Sequence, residues 1–254
     1  GNIMNITISV SDFKDAVEAI WLKGKYKSST TSKIDVVSNS CLCICRNNRI
    51  EFYNGNDKSA LNVNKVVDYN KEEQMFIFDI EKVMKYLKVF KGEINLKVTD
   101  SNIMLKNNSS NARIAKLVEH NNYGLISRIM NLSLETPVVF GKTELPTELL
   151  FQGDDLAEAI KFCNNVGTAT FKLNYEAGSN VASLSSHTIH NTEYAQKDIP
   201  LINVSDESMT VEFSAPLDKF CVDEPMRIFG GDDKPILLCG SDRKLVIAPY
   251  INDR

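Results

Sequence analysis

The chain has 254 residues, of which 43% are hydrophobic and 24% charged. This composition supports a packed core in one large domain or two ordinary ones, and it excludes an intrinsically disordered chain. No apolar run approaches the roughly 20 residues that a membrane-spanning helix needs, and no signal peptide is recognisable before the first predicted strand. We therefore expect a soluble intracellular protein, in cytoplasm or nucleus, whose natural first residue is Met4.

The net charge of −4 hides an asymmetry between the two halves of the chain. Residues 1–117 carry 18 Lys and Arg against 13 Asp and Glu, whereas residues 118–254 carry 11 against 20. The first half is therefore at +5 and the second at −9. A basic half weakly favours binding to a polyanion. Solvated lysines on an ordinary surface explain the charge equally well.

The first half is predicted to form a strand, a helix, four strands, a second helix and three strands. Alternation predicts a strand at Met4–Val10, and Ser11 or Asp12 is predicted to cap a helix that ends near Leu22. Asp79 is predicted to cap a second helix, from Ile80 to about residue 90. The predicted strands lie at 33–38, 40–46, 49–54 and 59–66, and after the second helix at 93–99, 102–107 and 111–118.

The second half repeats this order after a connector. Residues 119–144 are rich in Asn, Gly and Pro and are predicted to carry at most a helical turn or a short strand. A strand at 145–151 and a helix from Gly153 to Cys163 follow, with a short second helix at Pro216–Val222. The other predicted strands lie near 168–174, 180–186, 189–196 and 207–213, and then at 225–230, 235–240 and 244–249. The pattern predicts an α+β chain of two tandem domains, 4–118 and 145–254, joined by the connector 119–144.

The sequence offers little support for catalysis or metal binding. Cys41, Cys43 and Cys45 alternate along a predicted strand, which spaces them by about 7 Å per pair, so buried thiols are favoured over a metal site. His187 and His190 are predicted to lie on opposite faces of a strand. The glycines at 230–231 are not followed by the Lys-Ser or Lys-Thr of a phosphate-binding loop. We predict no enzyme, catalytic residue, metal or cofactor; a β-rich enzyme with an unrecognised site is the remaining alternative.

The duplicated order and the end of the chain resemble the PCNA-type DNA sliding clamps. Those proteins close on an Ala-Pro-basic-Ile signature, which Ala248, Pro249 and Ile251 match, whereas Tyr250 replaces the basic residue. Pro235 and the segment 76–99 also fit the resemblance. The long connector and the acidic second half depart from it. They indicate a divergent viral, plasmid or archaeal-like member.

The resemblance implies a binding protein rather than an enzyme. Three copies would form a ring around double-stranded DNA, with antiparallel sheets outside and helices lining the hole. Such a ring tethers DNA polymerase and other replication and repair enzymes that carry clamp-binding peptides, and a clamp loader would place it on DNA. The alternative is a clamp-like scaffold or transcription-related factor that does not encircle DNA by itself.

The lysines of the predicted helices are the candidate phosphate contacts, because contacts to the backbone, unlike contacts to bases, permit sliding. On the second helix Lys82, Lys85 and Lys88 fall opposite an apolar face made by residues 80, 83, 84 and 87. A solvated helix face is the alternative for any single lysine. The candidate DNA-facing residues are Lys14, Lys23, Lys25, Lys82, Lys85, Lys88, Lys91, Lys161 and Lys219.

The resemblance also implies a peptide pocket and a subunit interface. The pocket would be formed by Pro235, Val246, Ala248 and Pro249, completed by the loop 54–60 and by Leu132 and Leu134 of the connector. The alternative is that these are ordinary core residues of a terminal strand. At the interface, the last strand of the first domain, 111–117, would pair with the segment 187–195 of a neighbouring copy. The charged residues expected there are Arg113, Lys116, His190 and Glu193.

Overall fold

The computed structural model describes residues 3–22, 40–118, 123–214, 217 and 219–250. The chain divides into two compact units. The first comprises Gly1–Asn56 and Leu61–Ile126, and the second comprises Asp57–Ala60 and Ser127–Arg254. Strands dominate both units, and most of them pair antiparallel. The predicted α+β class is confirmed.

In the described residues, the first unit has the order strand, helix, four strands, helix and three strands; three of the four middle strands match predicted ones. Its elements are β1 (Met4–Ser9), α1 (Val10–Ile20), β2 (Ser40–Arg46), β3 (Arg49–Gly55), β4 (Ser59–Val66), β5 (Gln74–Asp79), α2 (Ile80–Leu87), β6 (Glu93–Val98), β7 (Asn102–Asn107) and β8 (Ser110–Ala115). The helix α3 (Tyr123–Met130) follows.

Two antiparallel arrays of strands build the first unit. One is a sheet in the order β1-β6-β7-β8, which leaves β8 at an edge; the other array has the order β4-β3-β2-β5. Aromatic side chains join α1 to the second array: the ring centroid of Phe13 lies 5.6 Å from that of Phe52 and 6.0 Å from that of Phe78. The apolar faces of α1 and α2 are thereby buried.

The second unit begins with a short hairpin and then repeats much of this order. Its elements are β9 (Val139–Phe140), β10 (Thr143–Glu144), β11 (Thr147–Gln152), α4 (Gly153–Cys163), β12 (Phe171–Tyr175), β13 (Val181–His187), β14 (Tyr194–Pro200), β15 (Met209–Phe213), β16 (Pro225–Gly230), β17 (Ile236–Cys239) and β18 (Arg243–Ile247). The strand orders are β11-β16-β17-β18 and β14-β13-β12-β15, so β14 is an edge strand.

The starts of the helices show how local sequence sets the structure. Ser9, rather than the predicted Ser11 or Asp12, caps α1: its Oγ accepts a hydrogen bond from the N–H of Asp12 at 3.0 Å. Asp79 caps α2 as predicted, by accepting from the N–H of Lys82 at 3.2 Å. The helix α4 begins at Gly153, where a Cβ atom would lie 2.0 Å from the carbonyl oxygen of Val222. Only glycine permits that close approach.

Several predicted elements differ from the structure. The strand β5 was not predicted, because its apolar run leads directly into α2. The predicted strand 189–196 is wrong in position: β14 begins at Tyr194, since hydrogen bonds within residues 188–193 form a turn. At 216–222, the described residues form a turn in which the N–H groups of Phe220 and Cys221 both donate to the carbonyl of Leu217. The predicted strand 33–38 lies outside the described residues.

The segment between β8 and β11 contains more structure than predicted. An eight-residue helix, α3, is present where a single turn was expected, and the hairpin of β9 and β10 follows it. Ile126 and Ile129 of α3 are fully buried, which explains why this short helix is stable: its apolar face is packed away from water. In the described residues no helix has the length and apolar character needed to cross a membrane.

Candidate nucleic-acid interface and partner sites

The helix α2 carries the most basic helical surface that the structure describes. Ile80, Val83, Met84 and Leu87 are buried, as the spacing predicts, and Lys82, Lys85 and Lys88 are exposed on the other side. Lys91 follows the helix and is also exposed. In the described part of the chain, none of these four lysines has a carboxylate within ion-pair distance. Their charges are therefore available to an external anion.

Local structure fixes the direction of this basic face. Asp79 caps the helix, and the rings of Tyr86 and Phe90 stack with centroids 6.0 Å apart at its end. The four buried apolar residues lock the helix against the rest of the first unit. Residues three apart on a helix lie on neighbouring turns of one side. Lys82, Lys85 and Lys88 thus form a continuous row rather than scattered charges.

The helix α1 has a different surface. Lys14 is half-exposed, and its Nζ lies 3.9 Å from the carboxylate of Glu18. The Nζ of Lys65 on β4 forms an ion pair with the carboxylate of Asp15, at 2.7 Å. The predicted phosphate contact at Lys14 is therefore partly neutralised by its own helix. Lys23 and Lys25 lie outside the described residues.

The helix α4 is amphipathic like α2, but its exposed side is acidic. Asp154 and Glu158 are exposed along with Lys161 and Phe162. Local desolvation, and then the neighbouring carboxylates of Asp223, Glu158 and Asp155, raise the pKa of Asp154. Crowding of carboxylates at the helix start thus adds to the effect of desolvation on this pKa. Lys161 is the one basic residue of α4. Lys219 lies exposed in the turn at 219–220.

The three cysteines of β2 are fully buried, as predicted. The predicted spacing of their thiols is wrong for one pair: the Sγ atoms of Cys41 and Cys43 are 3.7 Å apart, because the side chains lean toward each other. Burial raises the pKa of the Cys43 thiol, and burial together with the charge of Glu51 raises that of Cys45 to about 12. Protonated thiols are poor metal ligands. The described residues contain no group of three or more His, Cys, Asp or Glu placed to hold a metal ion.

The strands β17 and β18 gather the predicted peptide-pocket residues from the end of the chain. Ile236 pairs with Ile247 and Leu237 with Val246, which places Pro235 beside Ala248 at the end of the ladder. Val246 is buried, whereas Ala248 is exposed and Pro235 and Pro249 are half-buried. The N–H of Ala248 donates to the carbonyl of Lys58 at 2.8 Å, so Lys58 lies next to the end of this ladder.

The remaining predicted pocket residues lie on the segment between α3 and β9. Leu132 is half-buried, and its N–H donates to the carbonyl of Ile129 at 3.4 Å. Leu134 is 46% exposed.

The predicted interface residues occupy two edges. Arg113 is exposed and Lys116 half-exposed on and just after β8, at the edge of its sheet. His190 and Glu193 are exposed, but they lie in the turn between β13 and β14 and not on a strand as predicted. The edge strand next to this turn is β14. Both edge strands present backbone groups that a further strand can pair with.

Sequence reasoning missed two surface features. One is a cavity of about 460 Å³ in the first unit, beside the end of β8. The other is Ile189, which is 94% exposed in the turn between β13 and β14. The signal for Ile189 was present in the sequence, since a single isoleucine stands there among Thr, His and Asn. The cavity had no sequence signal, because it forms between segments distant in the chain.

Comparison with known proteins identifies the fold. No family model matches the sequence, and no curated protein matches it. Solved structures do match. The DNA polymerase III beta subunit from Thermotoga maritima has a TM-score of 0.70 at 14% identity, covering 98% of this chain and 65% of that chain. The DNA polymerase sliding clamp from Pseudomonas aeruginosa has a TM-score of 0.73 at 11% identity, covering 98% and 66%.

A third match agrees in length as well as in fold. The structure of A. fulgidus PCNA bound to the C-terminal region of FEN-1 matches with a TM-score of 0.70 at 14% identity, covering 98% of this chain and 99% of that chain. This chain thus spans about two-thirds of the bacterial clamp chains and nearly all of the PCNA-type chain. It has the fold of the DNA sliding clamps. The predicted resemblance to PCNA-type clamps is confirmed at the level of the fold.

Proposed function

We propose that this chain is a DNA sliding clamp, of which three copies close into a ring around double-stranded DNA. The observation that carries the proposal is the row of lysines on α2, displayed on a sliding-clamp fold. Lys82, Lys85 and Lys88 are exposed and free of ion pairs to the described residues, while the opposite side of the helix is buried. The helices would line the hole and the sheets would lie outside.

The chemistry of the lysine row suits a ring that moves along DNA. Each lysine that meets a phosphate releases a condensed counterion, which gives affinity without regard to sequence. Ammonium groups on flexible stems exchange one phosphate for the next without a fixed geometry. Contacts restricted to the backbone hold the duplex without specifying a position on it.

The partners we propose are proteins that carry short clamp-binding peptides, including DNA polymerase and other replication and repair enzymes. The PCNA structure that this chain resembles has the C-terminal region of FEN-1 bound. Pro235, Val246, Ala248 and Pro249 would contact such a peptide, with Leu132 and Leu134 beside them. Apolar anchors held in a pocket supply most of the affinity in peptide recognition. A clamp loader would place the ring on DNA.

The role proposed is binding rather than catalysis, in keeping with the clamp fold. The protein would act without a cofactor, wherever DNA is replicated. Its described part contains deeply buried thiols with raised pKa values, Cys43 and Cys45, which are unsuited to nucleophilic chemistry. A divergent clamp of viral, plasmid or archaeal type would fit the low identity and the PCNA-like length.

One observation favours a second candidate function. The exposed face of α4 carries Asp154 and Glu158, which would repel phosphates if that helix faced DNA. A clamp-like scaffold or transcription-related factor that does not encircle DNA would carry no such penalty. The two candidates differ in whether the lysines of α2 matter for DNA binding.

The test compares two variants with the same change of charge. In the first, Lys82, Lys85 and Lys88 are all changed to Glu; in the control, the exposed lysines Lys71, Lys106 and Lys142 are changed to Glu. Binding to a fluorescent DNA duplex is measured at low salt. We expect the α2 variant to lose about 100-fold or more in affinity, because three phosphate contacts become repulsions. The control should lose only a few-fold.

The same variants separate the two candidate functions. Equal binding by both would contradict the assignment of α2 to DNA and favour the scaffold. Circular dichroism and the thermal midpoint of each variant serve as controls for folding. Since the altered side chains are exposed, both should match the unaltered protein closely.

A further inference from the structure

The cavity beside the end of β8 has a mixed rim, in which exposed apolar side chains lie beside the polar residues Asp100, Ser101 and Lys116. It has a volume of about 460 Å³ and is lined by residues 75–77 of β5, by residues 100–101 of the turn between β6 and β7, and by residues 116–118. At its rim, Met75 is 48% exposed and Val118 is 92% exposed. Large apolar side chains exposed side by side mark a contact surface more often than scattered ones do.

The backbone explains why the cavity lies where the edge of the sheet ends. The N–H of Lys116 donates to the carbonyl of Ser101 at 3.2 Å, and the next N–H, that of Leu117, donates to Ile77 at 2.9 Å. After β8, the chain therefore leaves the edge of this sheet and forms a hydrogen bond with β5. An added strand could pair with β8 only up to about residue 116. Whatever followed that strand would lie over the cavity.

The turn between β13 and β14 exposes two large apolar or aromatic side chains. Its tip exposes Ile189, and Tyr194 at the start of β14 is 58% exposed. Internal hydrogen bonds hold it in one conformation: Thr188 N–H to the carbonyl of Glu193 at 3.1 Å, and Asn191 N–H to the carbonyl of Thr188 at 2.9 Å. The two hydroxyls of Thr188 and Thr192 are 3.0 Å apart. An apolar side chain presented by an ordered turn loses little entropy on docking.

Antiparallel pairing would bring these two features together. On the exposed sides, β8 presents Arg113 and β14 presents Asp198. Suppose that Arg113 of one copy lies opposite Asp198 of the next. Because residue numbers run in opposite directions along two antiparallel strands, Leu117 of the first copy then lies opposite Tyr194 of the second. The turn with Ile189 then extends past the end of β8, over the cavity. The register that pairs opposite charges is thus the one that covers the rim of the cavity.

We propose that the cavity at residues 75–77 and 116–118 of one protomer receives Ile189 from a second copy of this chain, and that this contact anchors the junction of β8 and β14. The inference rests on the proposed ring, because it supplies the residue that holds neighbouring subunits together. Burial of one isoleucine removes a large apolar side chain from water at each junction. Because the two surfaces differ, the contact is head-to-tail and can close a ring.

Cysteine cross-linking tests the contact directly. Val118→Cys and Ile189→Cys are made as separate proteins and mixed under mild oxidation. The native cysteines are all buried, so they leave the background low. A disulfide forms only when the two Cβ atoms approach to about 4 Å. We expect covalent dimers from the mixture and covalent oligomers up to three chains from the double variant.

The matched control pairs Ile189→Cys with Val66→Cys; position 66 is 86% exposed at the end of β4 and does not line the cavity. It should give no covalent oligomer above the background of single variants. Absence of a cross-link between positions 118 and 189, in a protein that assembles, would overturn the inference while leaving the ring intact.

A second variant measures the contribution of the contact to assembly. Ile189→Asp should raise the concentration at which the protein assembles by about tenfold or more, as expected for loss of one buried isoleucine. The control Val66→Asp, at a position on β4 that is 86% exposed, should leave that concentration unchanged. Equal assembly by both variants would contradict the inference. An unaltered protein that stays monomeric at every concentration would overturn both the contact and the proposed ring.

Discussion

The helices α2 and α4 have similar packing and opposite surfaces. Each lies directly after a strand and buries one apolar face, yet α2 exposes a row of lysines and α4 exposes Asp154 and Glu158. The interior of a unit fixes which face of a helix is buried, but it places no constraint on the charge of the other face. The comparison teaches that a repeated fold need not repeat a binding surface.

This difference in surface charge predicts unequal contributions of the two units to DNA binding. If both helices faced DNA, the phosphates would meet attraction at α2 and repulsion at the start of α4. Desolvation is the largest cause of the raised pKa of Asp154, and the neighbouring negative charge of Asp223 raises this pKa further. We therefore expect the first unit to supply most of the affinity for DNA.

The largest expected effect concerns how α4 begins. Gly153→Ala would place a Cβ atom 2.0 Å from the carbonyl oxygen of Val222, so the backbone would have to move. We expect a loss of about 2–3 kcal/mol in the free energy of unfolding, in the range of other overpacking changes. Urea denaturation measures it. The control is Gly167→Ala, where no atom lies within 4 Å and the only cost is its positive φ of 83°.

The second prediction concerns a variant in which the exposed face of α4 becomes basic, like that of α2. Changing both Asp154 and Glu158 to Lys should tighten binding to duplex DNA by about tenfold at low salt, because repulsion becomes attraction. The control changes Glu135 and Glu207, which are also exposed, to Lys. A control that gains as much affinity as the α4 variant would show that net charge, rather than the position of α4, sets the binding.

The smallest effect concerns single lysines. Lys85→Gln should lower the slope of log affinity against log salt by about 1, as expected for one lost phosphate contact. Lys161→Gln on α4 should leave the slope unchanged within error, because acidic neighbours keep phosphates away. Titrations at several salt concentrations measure both slopes. Equal changes in the two variants would contradict the unequal roles of the helices.

Much of the fold could be predicted from periodicity. The buried face of α2 follows from apolar residues at positions 80, 83, 84 and 87, and alternation located β6 and β7. The strand β5 was missed because its run of Met, Phe and Ile continues without a turn into the helix. The position of β14 was wrong because a polar strand and a polar turn look alike in a single sequence.

The candidate site was predictable only where one helix forms it. The row at Lys82, Lys85 and Lys88 depends on local spacing alone, so the sequence sufficed to place it on an exposed face. The cavity at β8 depends on contacts between distant segments, whereas the exposed tip at Ile189 depends on a local turn that was predicted as a strand. The domain boundaries, the peptide pocket and the subunit interface stay predictions. Testing the pocket requires a partner, and testing the interface requires a second copy.

The measurement that tests the central claim most directly is the absolute molar mass of the unaltered protein in solution. Light scattering would follow the mass over a wide range of protein and salt concentrations. A closed clamp predicts a plateau at the mass of three 28.5 kDa chains. A mass of one chain at every concentration would contradict the homotrimeric ring, and with it the proposal that this protein encircles DNA by itself.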